Sequence, residues 1–162
     1  MATNAKPSRR LALYKYVNPV IRFLVRRGVG IGGSDMDLLR TLRVSGRSSG
    51  RIFEIPVRVA VIDGNRYIMT MGGDTQWARN LRASGTAQLL YRNRSEDITA
   101  RELTGDEKTQ FLTAVCQDPQ FAARARSTLQ SALGTQITDL GESDIRHLGE
   151  LWYPFQLTPA AT

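Results

Sequence analysis

The sequence predicts a mainly β domain with peripheral helices, an α+β arrangement of five or six strands, and three observations carry that expectation. Ile52 to Ile62 alternates, with Phe53, Ile55, Val57, Val59 and Val61 on one side and Glu54, Pro56, Arg58 and Ala60 on the other. Short apolar runs are separated by turn signals, of which Asp63-Gly64 is the plainest hairpin. Strand-forming and helix-forming stretches do not alternate in the sustained way a doubly wound parallel sheet requires. At 162 residues and 41% hydrophobic, the chain can bury one core and is too apolar to stay disordered.

Taken in order, residues 1–10 read as a polar, basic tail. From Leu11 the apolar positions Leu11, Tyr14, Val17 and Ile21 recur at near-helical spacing, leaving Lys15, Arg22 and Arg26 for the polar side. Asn18-Pro19 interrupts this pattern, because asparagine suits a cap and proline the first helical position. The division is therefore a basic extension over 1–17, with helical character, and a single domain over 18–162. The glycine-dense stretch Gly28–Gly33 lacks both the preceding strand of a dinucleotide fingerprint and the lysine of a phosphate-binding P-loop, so it reads as a connector, with a ligand-contacting loop as the alternative.

Residues 38–44 form a strand candidate and lead through a polar loop into the long alternation, where Pro56 marks an edge or a bulge. Asp63-Gly64 turns the chain into Arg66–Met71. Thr75 through Ser84 reads as a short helix, and Thr86–Arg92 with Asp97–Leu103 as a second hairpin. Thr104 and Glu107 have capping-box spacing before a helix that buries Phe111, Leu112 and Val115. Asp118-Pro119 opens another helix ending at Gly134, and Leu151–Leu157 reads as a closing strand.

Composition excludes several chemistries. One cysteine, Cys116, and one histidine, His147, allow no internal disulfide, no multi-cysteine zinc site and no histidine-rich metal site. No carboxylate pair has the spacing glycoside chemistry needs. Redox chemistry in such a chain would come from a bound cofactor. No apolar stretch approaches the ~18 residues of a membrane span, and no secretory-type cleavage site follows an apolar core. The chain reads as cytoplasmic, with peripheral contact at an anionic membrane as an alternative for its basic amphipathic start.

Charge is unevenly spread. Residues 1–60 hold 12 basic and 3 acidic groups, a net of +9 within a total of +7, so the remainder is slightly acidic at −2. A basic first third attracts phosphates, polyanionic cofactors, nucleic acid or acidic lipid alike. The aromatic pairs of a single-strand-reading sheet and the layout of a recognition helix are missing, so nucleic acid is not the expected partner. The most pointed local signal is Val44-Ser-Gly-Arg-Ser-Ser-Gly-Arg51, a basic loop between two strands. Its hydroxyls and N–H groups can donate to phosphate while Arg47 and Arg51 supply charge, although the same residues also suit an ordinary solvated hairpin.

Taken with its flanking segments, this loop resembles the deazaflavin-dependent nitroreductases and quinone reductases. The run that carries the resemblance is Asn18-Pro19, Leu38–Arg51, Pro56, Asp63-Gly64, Met69-Thr-Met-Gly-Gly73 and Trp77-Ala-Arg-Asn-Leu-Arg-Ala83, spanning approximately residues 18–103. The resemblance implies a split β-barrel, FMN-binding-like, that holds coenzyme F420, an 8-hydroxy-5-deazaflavin, and passes its hydride to a quinone, enone or nitroaromatic acceptor. It further implies that Arg47, Ser48, Ser49 and Arg51 hold the cofactor's phosphate and acidic tail. By the same resemblance Thr70, Met71, Gly72 and Gly73 lie beside the ring, with Thr70 at its reactive edge as the catalytic contact, while Trp77 and Asn80 shape the pocket over Pro56. Ser48 and Phe53 are uncharged where many such proteins carry lysine and arginine, which keeps FMN as an alternative cofactor. A non-catalytic carrier of the deazaflavin or another anion is the alternative outside catalysis. The expected partner is a small-molecule acceptor, and the expected assembly a monomer or homodimer.

Overall fold

A computed structural model describes residues 37–161, so the basic extension, Asn18-Pro19 and the glycine-dense connector lie outside the described residues. Six antiparallel strands close on themselves in the order β1-β2-β3-β6-β5-β4. They are β1 (Asp37–Ser45), β2 (Ile52–Ile62), β3 (Asn65–Thr70), β4 (Thr86–Tyr91), β5 (Arg94–Glu102) and β6 (Tyr153–Pro159). Helix α1 (Gln76–Ser84) lies between β3 and β4, and α2 (Gly105–Val115), α3 (Pro119–Leu133) and α4 (Glu142–Leu151) fall between β5 and β6. The mainly β expectation with peripheral helices matches this architecture. Among the described residues no helix is long and apolar enough to cross a membrane.

Local chemistry sets the element boundaries. Asp63 and Gly64 both take positive φ, 50° and 76°, as a type I′ turn requires between right-twisted strands. Asp118 accepts hydrogen bonds from the backbone N–H groups of Gln120 and Phe121, Pro119 occupies the first turn, and Gly134 closes α3 in the left-handed region. Pro56 sits in an unbroken register opposite Thr41. The strand is not bulged there, and among the described residues β3 pairs with β2 only at Ala60–Ile62, which leaves the second side of β2 around Pro56 without a strand partner.

Two element ends and one cap differ most from the sequence reading. β5 begins at Arg94 rather than Asp97, because Arg92 takes a positive φ of 53° and makes the hairpin tighter. Leu151 ends α4 instead of opening the last strand. The capping box at Thr104 is not made: the Thr104 side chain caps nothing, and the Glu107 carboxylate receives both guanidinium N–H groups of Arg101 at 2.7 Å instead. A strand arginine across the way offers that carboxylate a charge-assisted bidentate partner, stronger than a single backbone N–H.

Two apolar clusters follow from strand alternation. The barrel interior holds Leu42, Val44, Val57, Val59, Ile68, Leu89, Ile98, Phe155 and Leu157, together with Ala78 and Leu81 from α1. Helix α1 therefore lies across one end of the barrel and seals it. The outward residues of β3, Tyr67 and Met69, join Trp152, Leu103, Phe111, Leu112, Leu129 and Leu148 in a second cluster beneath α2, α3 and α4. Tyr67 packs on Phe111 with ring centroids 4.6 Å apart.

The end of the barrel away from α1 is polar. Register places Arg66 opposite the core residue Leu157 and Glu96 opposite the core residue Leu89, so both point inward. Their two side chains meet in a bidentate pair at 2.7 and 2.6 Å, and Arg40 stacks over Tyr91 at 3.8 Å. The Arg66 hydrogen bonds hold the Glu96 carboxyl below its ordinary value of 4.5, so the stability it lends is present above that value and is lost as pH falls through the depressed one. Glu96→Gln is predicted to flatten the acid limb of a Tm-against-pH profile below about pH 4.5; an acid limb as steep as wild type would show that the pair does not contribute.

Candidate functional site

At the α1 end, the β1–β2 hairpin folds its loop over the helix. Gly46 N–H donates to the Arg51 carbonyl at 2.8 Å and Gly50 N–H to the Gly46 carbonyl at 2.9 Å, which curls residues 46–51 into a tight, self-bonded turn. Gly50 takes a φ of 65°, a conformation that favours glycine. Ser49 Oγ accepts from Arg51 N–H at 3.3 Å. Gly46 is required for closeness: a Cβ there would meet the Phe53 ring at 2.7 Å and Ser49 Oγ at 2.9 Å.

The loop is fastened to α1 through Arg47. Its backbone N–H donates to Asn80 Oδ1 at 3.3 Å, and its Nη1 donates to Asn80 Oδ1 at 3.0 Å and to Gln76 Oε1 at 2.9 Å. Gln76 and Asn80 stand one helical turn apart, so both carboxamides face the same side. Asn80 is 94% buried, whereas the loop residues Arg47, Ser48 and Ser49 are exposed.

Between loop and helix lies a cleft of about 350 Å³ whose lining combines the loop residues Gly46, Arg47, Ser48 and Ser49, the strand residues Phe53 and Ile55, and Gln76, Trp77 and Asn80 of α1. Trp77 also packs on the core residue Phe155 at 6.0 Å between centroids, which fixes its ring as a wall. The volume lies within the range of small-molecule sites, and the lining mixes apolar surface with a few convergent polar groups. Helix α1 points its N-terminus at this region without an acidic residue in its first turn, adding the positive end of the helix dipole.

An ion-pair network holds α1 in place. Arg82 bonds both Glu102 on β5 and Asp74 in the turn before the helix, and Arg79 reaches Asp74 at 3.0 Å. Burial pushes the Asp74 carboxyl up, but Arg82 and Arg79 together outweigh it and hold it below its ordinary value. The hydrogen bond to Glu102, opposed by burial and joined by Asp74, raises the Arg82 guanidinium and keeps it charged.

Of the residues singled out in the sequence, the cleft brings together Arg47, Ser48, Ser49, Trp77 and Asn80. It does not bring Arg51, Pro56, Thr70, Met71, Gly72 or Gly73 to its lining. Thr70 is 3% exposed and faces the barrel interior opposite Tyr153, and its hydroxyl donates to the Gly73 carbonyl at 2.8 Å, closing the turn between β3 and α1. Met71 packs against the helical cluster on the outside of the barrel, and Gly73 N–H donates to the Leu151 carbonyl. Sequence reasoning missed Gln76, Phe53 and Ile55 as lining. The i, i+4 spacing of Gln76 and Asn80 was a usable signal, and Phe53 stood at the loop end of the alternation.

Burial pushes the Cys116 thiol up to about 11, leaving it protonated at neutral pH. His147 lies exposed on α4 with Nδ1 against the Ser143 carbonyl at 2.9 Å.

Residues 18–135 match the F420H2-dependent quinone reductase family, which is most of the chain. The chain belongs to this family. No curated protein matches it closely enough to add to that. Its fold is similar to a structure described as an F420-H2 dependent reductase (FDR-A), at 22% identity over 80% of this chain and 100% of that one, TM-score 0.48. It is also similar to PhzG from Burkholderia lata 383, at 16% identity over 96% and 79% of the two chains, TM-score 0.47, and to HutZ, a heme storage protein from Vibrio cholerae, at 11% over 89% and 88%, TM-score 0.43.

Gly46→Ala is predicted to destabilise the protein by about 1 kcal/mol, because the new methyl meets the Phe53 ring and the Ser49 hydroxyl and both exposed side chains must turn aside. Gly72→Ala, at a glycine with open space and no positive φ, is the control. Equal changes in chemical-denaturation midpoint for the two variants would contradict the close approach at Gly46.

Proposed function

We propose that this protein is an F420H2-dependent reductase that binds the deazaflavin cofactor in the cleft between the Gly46–Arg51 loop and α1 and reduces a small electron-poor acceptor of the quinone, enone or nitroaromatic type. One observation carries the reading beyond family membership: the cleft sets a fixed guanidinium and two serine hydroxyls against an aromatic and aliphatic wall. A ligand with an anionic tail and a flat, apolar ring matches both halves of that lining.

The donor set fits the group. Arg47, Ser48 and Ser49 would hold the phosphate and acidic tail, with Arg51 close by on the same exposed turn. Trp77, Ile55 and Phe53 would cover the ring and exclude water from it, which strengthens every electrostatic contact within the site. The bound reduced deazaflavin supplies a hydride to the acceptor, and solvent supplies the accompanying proton. The chain's own contribution is to bind, orient and exclude water, holding donor and acceptor at reacting distance. Thr70 acts in this reading through the turn it ties at Gly73, which sets where α1 begins, together with Met71 and Gly72 in the same connection. Pro56 supports the strand that carries Ile55. The family is named for F420H2, so F420 rather than FMN is the cofactor carried forward.

Parallel titration of the purified protein with F420 and FMN, followed by tryptophan quenching and by each cofactor's absorbance, tests this. The expected result is saturable binding of F420 well ahead of FMN, F420H2 oxidation on addition of a soluble quinone, and a loss of about tenfold or more in F420 affinity for Arg47→Ala. Preference for FMN, or binding of neither, would overturn the reading. F420 binding without turnover on any acceptor class would replace the reductase with a carrier.

A further inference from the structure

The loop arginine that faces the cleft is held in an unusual electrical setting. Several arginines of the barrel and of α1 are neutralised by carboxylates: Arg43 by Glu54, Arg66 by Glu96, Arg82 by Glu102 and Asp74, and Arg101 by Glu107, whereas Arg40 donates to the Leu39 carbonyl and lies over the Tyr91 ring at the far end of the barrel. Arg47 is held instead by two carboxamide oxygens, Gln76 Oε1 at 2.9 Å and Asn80 Oδ1 at 3.0 Å. Among the described residues no carboxylate pairs with it. Both bonds fall on the same nitrogen, Nη1, and the guanidinium has five N–H donors, so the donors on Nε and Nη2 stay available to a ligand.

Each amide oxygen orients the guanidinium without cancelling its charge. A carboxylate in either position would make the same hydrogen bond, more strongly, and would also neutralise the cation that an anionic ligand needs. An apolar residue would preserve the charge and release the side chain, returning the rotamer entropy that binding must then remove. The carboxamide pair avoids both losses. Asn80 adds a second function by accepting from the Arg47 backbone N–H at 3.3 Å, which fixes the loop as well as the side chain.

We infer that Gln76 and Asn80 are positioning residues that clamp Arg47 while leaving its charge on display, and that this neutral clamp sets the affinity and selectivity of the cleft for a phosphate-bearing anionic ligand. This rests on the cleft being the cofactor's tail site as proposed above. It goes further in assigning to Gln76 a role in anion selection, made through Arg47 rather than through contact with reacting atoms.

The decisive variant is Gln76→Glu, which changes one amide to a carboxylate at nearly constant shape on the exposed side of α1. Binding of three probes is measured by calorimetry: F420, its ring analogue without the phosphate and acidic tail, and inorganic pyrophosphate. Thermal denaturation reports the fold. The expected result is an unchanged or higher Tm for Gln76→Glu with about tenfold weaker binding of F420 and pyrophosphate, equal to about 1.4 kcal/mol, and little change for the tail-free ring. Gln76→Ala should weaken F420 by a smaller factor. In an Arg47→Ala background Gln76→Glu should have a much reduced effect, since the clamp then holds nothing.

Wild-type affinity of Gln76→Glu for F420 and pyrophosphate would overturn the clamp and leave the cofactor reading standing. Pyrophosphate binding that weakens in Gln76→Glu, in a protein that does not bind F420, would retain the clamp and overturn the cofactor reading. Equal weakening of the tailed and tail-free ligands would overturn the clamp as an anion device, and binding of none of the three probes to wild type would overturn both.

Discussion

Everything at the candidate site hangs on α1 lying across the end of the barrel. Ala78 and Leu81 enter the interior beside Leu42, Val44 and Phe155, so the helix cannot leave without uncovering the core. Burial of such side chains is worth roughly 1.5–3 kcal/mol for a leucine, and the bonds of Arg82 to Glu102 and Asp74 tie the exposed face to the sheet. Once the helix is fixed, Gln76, Trp77 and Asn80 are fixed with it. The loop opposite then has something rigid to close on, and Arg47 is the residue that closes.

The two ends of the barrel show why net charge alone does not locate a binding site. At the far end Arg66 and Glu96 face inward and neutralise one another, while Arg40 is spent on the Tyr91 ring. At the α1 end Arg47 is bonded to neutral amides, and the helix dipole adds to its field. The excess of positive charge in residues 1–60 includes both carboxylate-paired Arg43 and amide-held Arg47. Which of them can attract an anion is decided by what each is bonded to, and that information exists only in three dimensions.

Much of the fold was legible in the sequence for local reasons. The period-two run through Val57 and Val59, the Asp63-Gly64 turn and the Asp118-Pro119 cap are each set by residues within a few positions of one another, and each forms as local chemistry dictates. Failures came where a stronger or nearer partner took a group away from its expected one. Glu107 had the spacing to cap its own helix, yet Arg101 on β5 offered two charged hydrogen bonds. The site was legible as a loop with the right chemistry and as a tryptophan–asparagine pair, but Gln76 gains its meaning only when α1 packs opposite a hairpin some thirty residues earlier.

If an anionic, flat ligand seats between the Gly46–Arg51 loop and the first turns of α1, it must slow the opening of both. Amide hydrogen exchange with and without F420, resolved by peptide, reads that directly. New protection is predicted in peptides covering residues 46–55 and 75–81, with residues 105–151 of the helical cluster unchanged. Protection centred on α2, α3 or α4, with none in the loop and α1, would contradict it.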